Sequence, residues 1–214
     1  MTMKKNNLRQ GILLALAALS VAWQVPGLQE SFEAVAVGKL PAEWSAVVGT
    51  WAVATDGANK VLYQTAKGRG SQFNRVVANR SAFQNGSVTV RLKAMAGSED
   101  RGGGLMWRYR DANNYYVVRA NPLEKNVVAY KVQQGRRTDL PLVGRGKTYG
   151  LSAPMASNRW HTLKVTAQGN LFTVFWDGKQ LYQVRDDAFT AAGKVGLWSK
   201  ADSQTMFDDL AVTP

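Results

Sequence analysis

A chain of 214 residues with no cysteine and one histidine lacks the ligands for a thiolate or polyhistidine metal centre and has no thiol nucleophile. Its 27 Lys and Arg against 15 Asp and Glu give a formal charge of +12, which favours acidic partners such as anionic polysaccharide, lipid headgroups or nucleic acid. The missing cysteines leave the compartment open, because about 190 residues can bury a core large enough to fold without disulfides.

The chain opens with "MTMKKNNLRQGILLALAALSVAWQ", where three basic residues precede an apolar run from Gly11 to Ala22 and Ser20 and Ala22 form a small-residue cleavage pattern. This reads as a secretory signal cut after Ala22. The run is too short for a membrane span, which needs about 20 apolar residues, and no cysteine near the cut supports a lipid anchor. The expectation is a periplasmic or secreted protein with no stable membrane anchor after cleavage. The mature part keeps 24 basic against 15 acidic residues, so the charge belongs to the domain itself. Export makes nucleic acid the poorest match of the three acidic partners.

After a short segment at 23–29, residues 30–214 read as one domain with a period of two almost throughout. The runs "KVLYQTA" and "SQFNRVVA" come first. In "GSVTVRLKAM", Val88, Val90, Leu92 and Ala94 share one face and Ser87, Thr89, Arg91 and Lys93 the other, the pattern of a half-buried strand. "LMWRYR", "NYYVVRAN" and "NVVAYKVQQ" follow, and residues 136–159 are the longest stretch read as loop, expected at the rim of whatever the sheet binds. "HTLKVTAQG" is another strand, and Asp177-Gly178 in "LFTVFWDGKQLYQV" marks a hairpin. "GKVGLWSK" and "TMFDDLAVT" end the series. Short strands with polar turns and no helical spacing predict an all-β fold, a single antiparallel sandwich or barrel.

Some residues read as structural. Glu99 and Asp100 in "GSEDRGG" and Glu124 in "NPLEKN" read as solvated turn charges. His161, without a hydroxyl or carboxylate tied to it by sequence, reads as a packed residue at a strand entrance beside Trp160. "GRGSQ" and "GRGKTYG" lack the spacing and strand-to-helix context of a phosphate loop and read as turns.

The succession "SFEAVAVGKLPAEW", "GGLMWRYRDANNYYVVRANPLEKNVVAYKVQQGRRTDL", "NRWHTLKVTAQGNLFTVFWDGKQL" and "AGKVGLWSKADSQTMFDDLAV" resembles the concanavalin A-like lectin/glucanase superfamily. Its nearest match is the exported bacterial domain described as 3-keto-disaccharide hydrolase or laminin G-like. The resemblance implies a jelly-roll sandwich of two curved antiparallel sheets whose concave face meets carbohydrate. The glucanases of that superfamily carry an E-x-D-x-E type strand. Here the corresponding strands read "LMWRYR" and "YYVVRA", with arginine in place of the paired carboxylates that glycoside hydrolysis uses.

Aromatic faces suit the C–H faces of sugars, and arginine pairs bidentately with carboxylate or phosphate. Alternation puts Arg108 and Arg110 on one face of "LMWRYR", and Tyr115, Val117 and Arg119 opposite Tyr116, Val118 and Ala120 in the next strand. Candidate groove residues are therefore Arg108, Arg110, Tyr116, Arg119, Tyr130, Trp198 and Lys200. The resemblance also implies a structural calcium ion between the first and last strands, held by Glu33, Asp208 and Asp209 with carbonyls near Gly49; an ion pair to a basic residue is the competing reading of those acids. The leading expectation is an exported domain that binds carbohydrate, acidic glycans in particular, without the paired acids of a hydrolase. The alternatives are an enzyme acting on keto-glycosides by proton abstraction beside a carbonyl, and a structural role in the cell envelope.

Overall fold

The computed structural model describes residues 27–214, so the signal reading of residues 1–22 lies outside the described residues. No helix of the described residues is long and apolar enough to cross a membrane. Among the described residues, sixteen strands, numbered in chain order, form two antiparallel sheets. The back sheet runs β14 (Lys179–Arg185), β13 (Leu171–Trp176), β12 (His161–Gln168), β6 (Gly86–Ala96), β16 (Gln204–Thr213), β4 (Asn59–Gln64) and β3 (Trp51–Asp56). Strand β1 (Leu28–Glu30) pairs with the C-terminal half of β16. The front sheet runs β10 (Arg136–Asp139), β9 (Asn126–Gln133), β8 (Asn114–Asn121), β7 (Gly103–Asp111), β15 (Gly193–Lys200), β5 (Phe73–Phe83) and β2 (Trp44–Val48), and β11 (Leu151–Ser152) pairs with β9.

The alternation read from the sequence builds the core. Val88, Val90 and Leu92 on β6 and Leu163, Val165 and Ala167 on β12 face Leu105, Trp107, Tyr116, Val118 and Ala120 from the front sheet. Trp107 stacks on Tyr116 with ring centres 5.4 Å apart and meets Phe172 of the back sheet edge-on at 5.3 Å, so aromatic contacts join the two layers. Asp177 and Gly178 both have positive φ, 47° and 79°, the geometry of a two-residue hairpin between β13 and β14.

The front sheet carries a second buried cluster on its other face: Val77, Met106, Tyr109, Tyr115, Val117, Val128, Tyr130, Val132 and Trp198, with Phe73 packed against it. A flat sheet would leave this face open to solvent. The Arg137 guanidinium on β10 nevertheless lies 5.1 Å from the Phe73 ring on β5, five strand spacings away in the sheet order. Laid flat, those spacings would separate the two strands by about 24 Å. No arginine reaches that far, so the front sheet curls and its outer face is the inside of a hollow.

Two parts of the chain differ from the alternation expected of them. The pairing of β7 with β8 shifts between Trp107 and Asp111, and Arg108 within that bulge has φ 47°. The bulge reverses the facing of later residues, so Tyr109 joins Met106 in the hollow instead of Trp107 in the core. Residues 136–159 are not one loop: they contain β10 and β11, both pairing with β9.

Candidate functional site

Of the seven groove candidates, the structure brings four to the hollow: Arg119, Tyr130, Trp198 and Lys200. Strand register explains the grouping, since Gly104 on β7 pairs with Arg119 on one side and Trp198 on the other. A Cβ at Gly104 would lie 1.9 Å from the Val118 carbonyl oxygen, so only glycine permits this approach of β7 and β8. Arg119 is 1% exposed and Trp198 fully buried.

Arg119 anchors a polar network. Its Nη2 donates to Glu124 Oε2 at 2.9 Å, to the Tyr130 hydroxyl at 3.0 Å and to the Tyr149 hydroxyl at 3.3 Å, and Tyr130 donates in turn to Tyr149 at 2.9 Å. Burial alone would lower the Arg119 pKa, but Tyr130 and Glu124 together hold it above its ordinary value. Burial works against the charge on Glu124 as well, and the Arg119 guanidinium overrides it, keeping the carboxyl below its usual range. Lys200 Nζ lies 3.0 Å from Asp100 Oδ2, and Asp100 Oδ1 accepts from the Asn121 amide at 2.7 Å. Asn121 also donates to Glu124, which joins the two halves of the network.

Glu124 and Asp100 are thus site residues that sequence reasoning placed among solvated turns. Asp100 is only 3% exposed. One signal was available: both acids lie within a few residues of strands rich in Arg, where a carboxylate is the natural partner of a buried guanidinium. Tyr149 also comes from the stretch read as loop, of which Leu140, Leu142 and Ala153 pack into the core between the sheets.

Across the hollow, the Arg137 guanidinium carbon lies 4.5 Å from the ring centre of Tyr130 and 5.9 Å from that of Trp198. Arg75 Nη1 donates to the Ala112 carbonyl, and its guanidinium stands 5.8 Å from the Tyr115 ring. Burial raises the pKa of the Tyr115 hydroxyl, while Arg75 and Trp198 beside it act in the opposite direction. Phe73, Arg75, Val132 and Arg137 line an open depression of about 460 Å³ at this end of the hollow.

Nine buried side-chain polar atoms have no protein partner by hydrogen-bond geometry among the described residues, and seven belong to this face: Arg75 Nε, Arg119 Nε and Nη1, the Tyr115 hydroxyl, Asn126 Oδ1, Trp198 Nε1 and Asp139 Oδ2. Asp139 belongs here because it pairs with Tyr130 and lies two residues from Arg137 on β10.

The other three candidates lie elsewhere. Arg108 is buried in the β7 bulge, where it donates to the carbonyls of Gln84, Phe189 and Gly169 and lies over Phe172; it closes one end of the core. Arg110 is exposed and lies over Phe189. Tyr116 faces the core, its hydroxyl donating to Asp186 at 2.7 Å. Strict alternation had grouped Arg108 and Arg110 with Met106, and the bulge removes that grouping.

The residues named for calcium, Glu33, Asp208 and Asp209, each have protein contacts. Asp208 and Asp209 sit where β16 changes register against β6, and Arg91 Nη1 lies 3.0 Å from Asp209 and 3.7 Å from Asp208; burial, with the Asp209 and Glu33 carboxylates, nevertheless raises the Asp208 pKa. Glu33 accepts from the Lys60 backbone N–H at 2.9 Å. Gly49 lies against Asn74 and Trp51. Among the described residues, no group of three or more His, Cys, Asp or Glu is placed to hold a metal ion. His161 opens β12, stacks on Trp176 at 4.8 Å, lies 2.8 Å from Asp177 through Nδ1 and accepts the Ala156 N–H through Nε2, which makes it a packed, fully engaged side chain.

Comparison with protein families matches residues 29–213 to the 3-keto-alpha-glucoside-1,2-lyase-like domain. Among solved structures, the carbohydrate-binding module CBM66 from Bacillus subtilis superposes with a TM-score of 0.64 and 20% identity, covering 80% of this chain and 96% of that one. The Bacillus licheniformis β-glucanase gives 0.56 and 14%, covering 88% and 98%. A Bacteroides ovatus mixed-linkage glucan enzyme of family GH16 gives 0.55 and 12%, covering 86% of each chain. No curated protein matches. The likenesses show the fold, the concanavalin A-like jelly roll of carbohydrate-binding and glycoside-related domains.

Proposed function

The chain belongs to the 3-keto-α-glucoside-1,2-lyase-like family, and from that premise we propose that it is an exported carbohydrate-binding domain whose front-sheet hollow takes a sugar, with acidic glycans preferred. The observation that carries this reading is the gathering on one face of seven of the nine buried polar atoms that lack a hydrogen-bond partner among the described residues. Each such group left without a partner costs about 1–3 kcal/mol, so a fold that concentrates them in one hollow has prepared it for something rich in oxygen. Sugar hydroxyls both accept and donate. They can satisfy the Arg119, Arg75 and Trp198 donors and the Asp139 acceptor once the side chains covering them part, since those atoms and the Tyr130 and Trp198 rings are closed to solvent here, while Phe73 already offers part of its ring. The chain's basic surplus supports the acidic preference, and the reading of residues 1–22 as a signal supports export to the periplasm or beyond.

The test is calorimetric titration of the mature chain with neutral and acidic oligosaccharides, alongside Arg119→Lys. Lysine keeps the charge facing Glu124 and loses the fork of donors, so dissociation constants should rise at least about tenfold with folding intact. Unchanged affinity in the variant would remove the hollow from the account.

One observation favours a second reading, catalysis of the kind the family's description names. Glu124 is held ionised against Arg119 and, with a partly exposed side chain, offers a proton acceptor beside the hollow. In a 1,2-elimination from a 3-keto-glucoside, an acceptor takes the proton from C2, the C2–H electron pair forms the C1–C2 double bond, and the C1–O bond breaks with its electron pair going to the glycosidic oxygen, which takes its proton from the now protonated acceptor or from water. Incubation with a 3-keto-glucoside should then release the aglycone and an unsaturated sugar, and Glu124→Gln should abolish that release.

A further inference from the structure

We propose that Arg75 and Arg137 form a distinct oxyanion subsite at the open end of the hollow, built to take the acidic substituent of a sugar. This rests on the carbohydrate reading above and identifies which part of the ligand goes where. The cationic groups of the polar network are already answered: Arg119 pairs with Glu124 and Lys200 with Asp100. Arg75 and Arg137 differ from them, since neither takes part in an ion pair among the described residues. The nearby acid of the β7–β8 turn, Asp111, is turned instead to Asn113 and Asn114, accepting from the backbone of one and the amide of the other.

Both guanidinium groups line the same open depression of about 460 Å³. Both act on the buried Tyr115 hydroxyl, which lies between the strands that carry them. Beneath them, Arg75 Nε, the Tyr115 hydroxyl and Trp198 Nε1 are buried close together, Arg75 and Trp198 both acting on the Tyr115 hydroxyl. Arg137 is held on the rings of Tyr130, Phe73 and Trp198, a mode of attachment that leaves its N–H fork unspent. Two unpaired guanidiniums with neutral donors between them suit a group that only accepts and that carries charge, a carboxylate or a sulfate ester. A neutral hydroxymethyl group in that position would leave both charges unanswered.

The experiment compares binding of uronate-bearing oligosaccharides, their carboxyl-reduced neutral counterparts and sulfated analogues to the mature chain and to Arg137→Gln and Arg75→Gln, each variant checked for folding by its thermal transition. The proposal expects the wild type to prefer an acidic form at least tenfold over its reduced partner. It expects Arg137→Gln to erase that preference, so that the variant binds the acidic form no more tightly than its reduced partner. The carboxylate and sulfate arms separate the two sources of the oxyanion. Equal binding of acidic and reduced forms by the wild type overturns the subsite and leaves the hollow as a neutral sugar site. Tighter neutral binding by Arg137→Gln also overturns it, since Arg137 would then be a plug over the rings. Failure of every sugar to bind overturns the carbohydrate reading itself. Because the wild-type comparison needs no variant, a variant that fails to fold does not shield the proposal.

Discussion

At the scale of single residues, the site depends on acids that hold its cations and turns in place. Asp202 accepts the successive backbone N–H groups of Ser98, Glu99 and Asp100, tying the turn before β7 to the turn after β15. That tie delivers Asp100 to Lys200. Burial would raise the Asp202 pKa, but these three donors outweigh it and hold the carboxyl far below its ordinary value. A depressed acid contributes stability that is present above the unfolded-state pKa of about 3.9 and is lost as pH falls toward the folded-state value. Asp202→Asn should therefore destabilise the domain by about 1–2 kcal/mol at pH 7. The gap to wild type should narrow on acidification below about pH 4, as measured by urea unfolding at both pH values. A gap of the same size at pH 7 and pH 3 would show that charge on Asp202 is not the source. Single residues also mark what sequence could reveal. Tyr115, Val117 and Arg119 share the hollow as their spacing implies, because β8 runs without interruption. Arg108 does not, because one residue with positive φ turns it toward three carbonyls, and nothing in "LMWRYR" announces a bulge.

At the scale of elements, strands with alternating apolar residues were readable and strands without them were not. β6, β12 and β13 follow their hydrophobic pattern closely, whereas β10 reads "RRTD" and is a strand only because β9 offers it an edge. That gap hid Arg137 and Asp139, residues placed in the hollow by pairing and not by composition. Asp100 and Glu124 escaped for a related reason: turns are polar by default, and only the fold shows that these two lie against buried cations. The approach of β7 to β8 at Gly104 is the element-level feature most exposed to test. A methyl group there meets backbone at 1.9 Å, a contact no rotamer can relieve. Gly104→Ala should cost about 1–3 kcal/mol and should weaken sugar binding in the molecules that remain folded, since β8 carries Arg119. A thermal transition and an affinity both equal to wild type would contradict the packing described for the hollow's floor.

At the scale of the whole molecule, the jelly roll places one curled sheet, its hollow lined by rings, valines and arginines, in front of a back sheet whose inward side is apolar, and it is the curl that turns scattered sequence positions into a site. Arg137 and Phe73 are far apart in the chain and five strands apart in the sheet, yet they meet across the hollow. No local pattern encodes that meeting. The fold class was legible because alternation and turn chemistry repeat along the chain, while the site depends on curvature, a bulge and an edge strand, each a tertiary property. The central claim is that a sugar occupies this hollow between Arg119 and Trp198. A crystal structure of the mature chain soaked with a bound oligosaccharide tests it most directly: the account predicts sugar density against Arg119, Trp198 and Tyr115. Density confined to the outer surface of the back sheet, with the hollow unchanged, would contradict it.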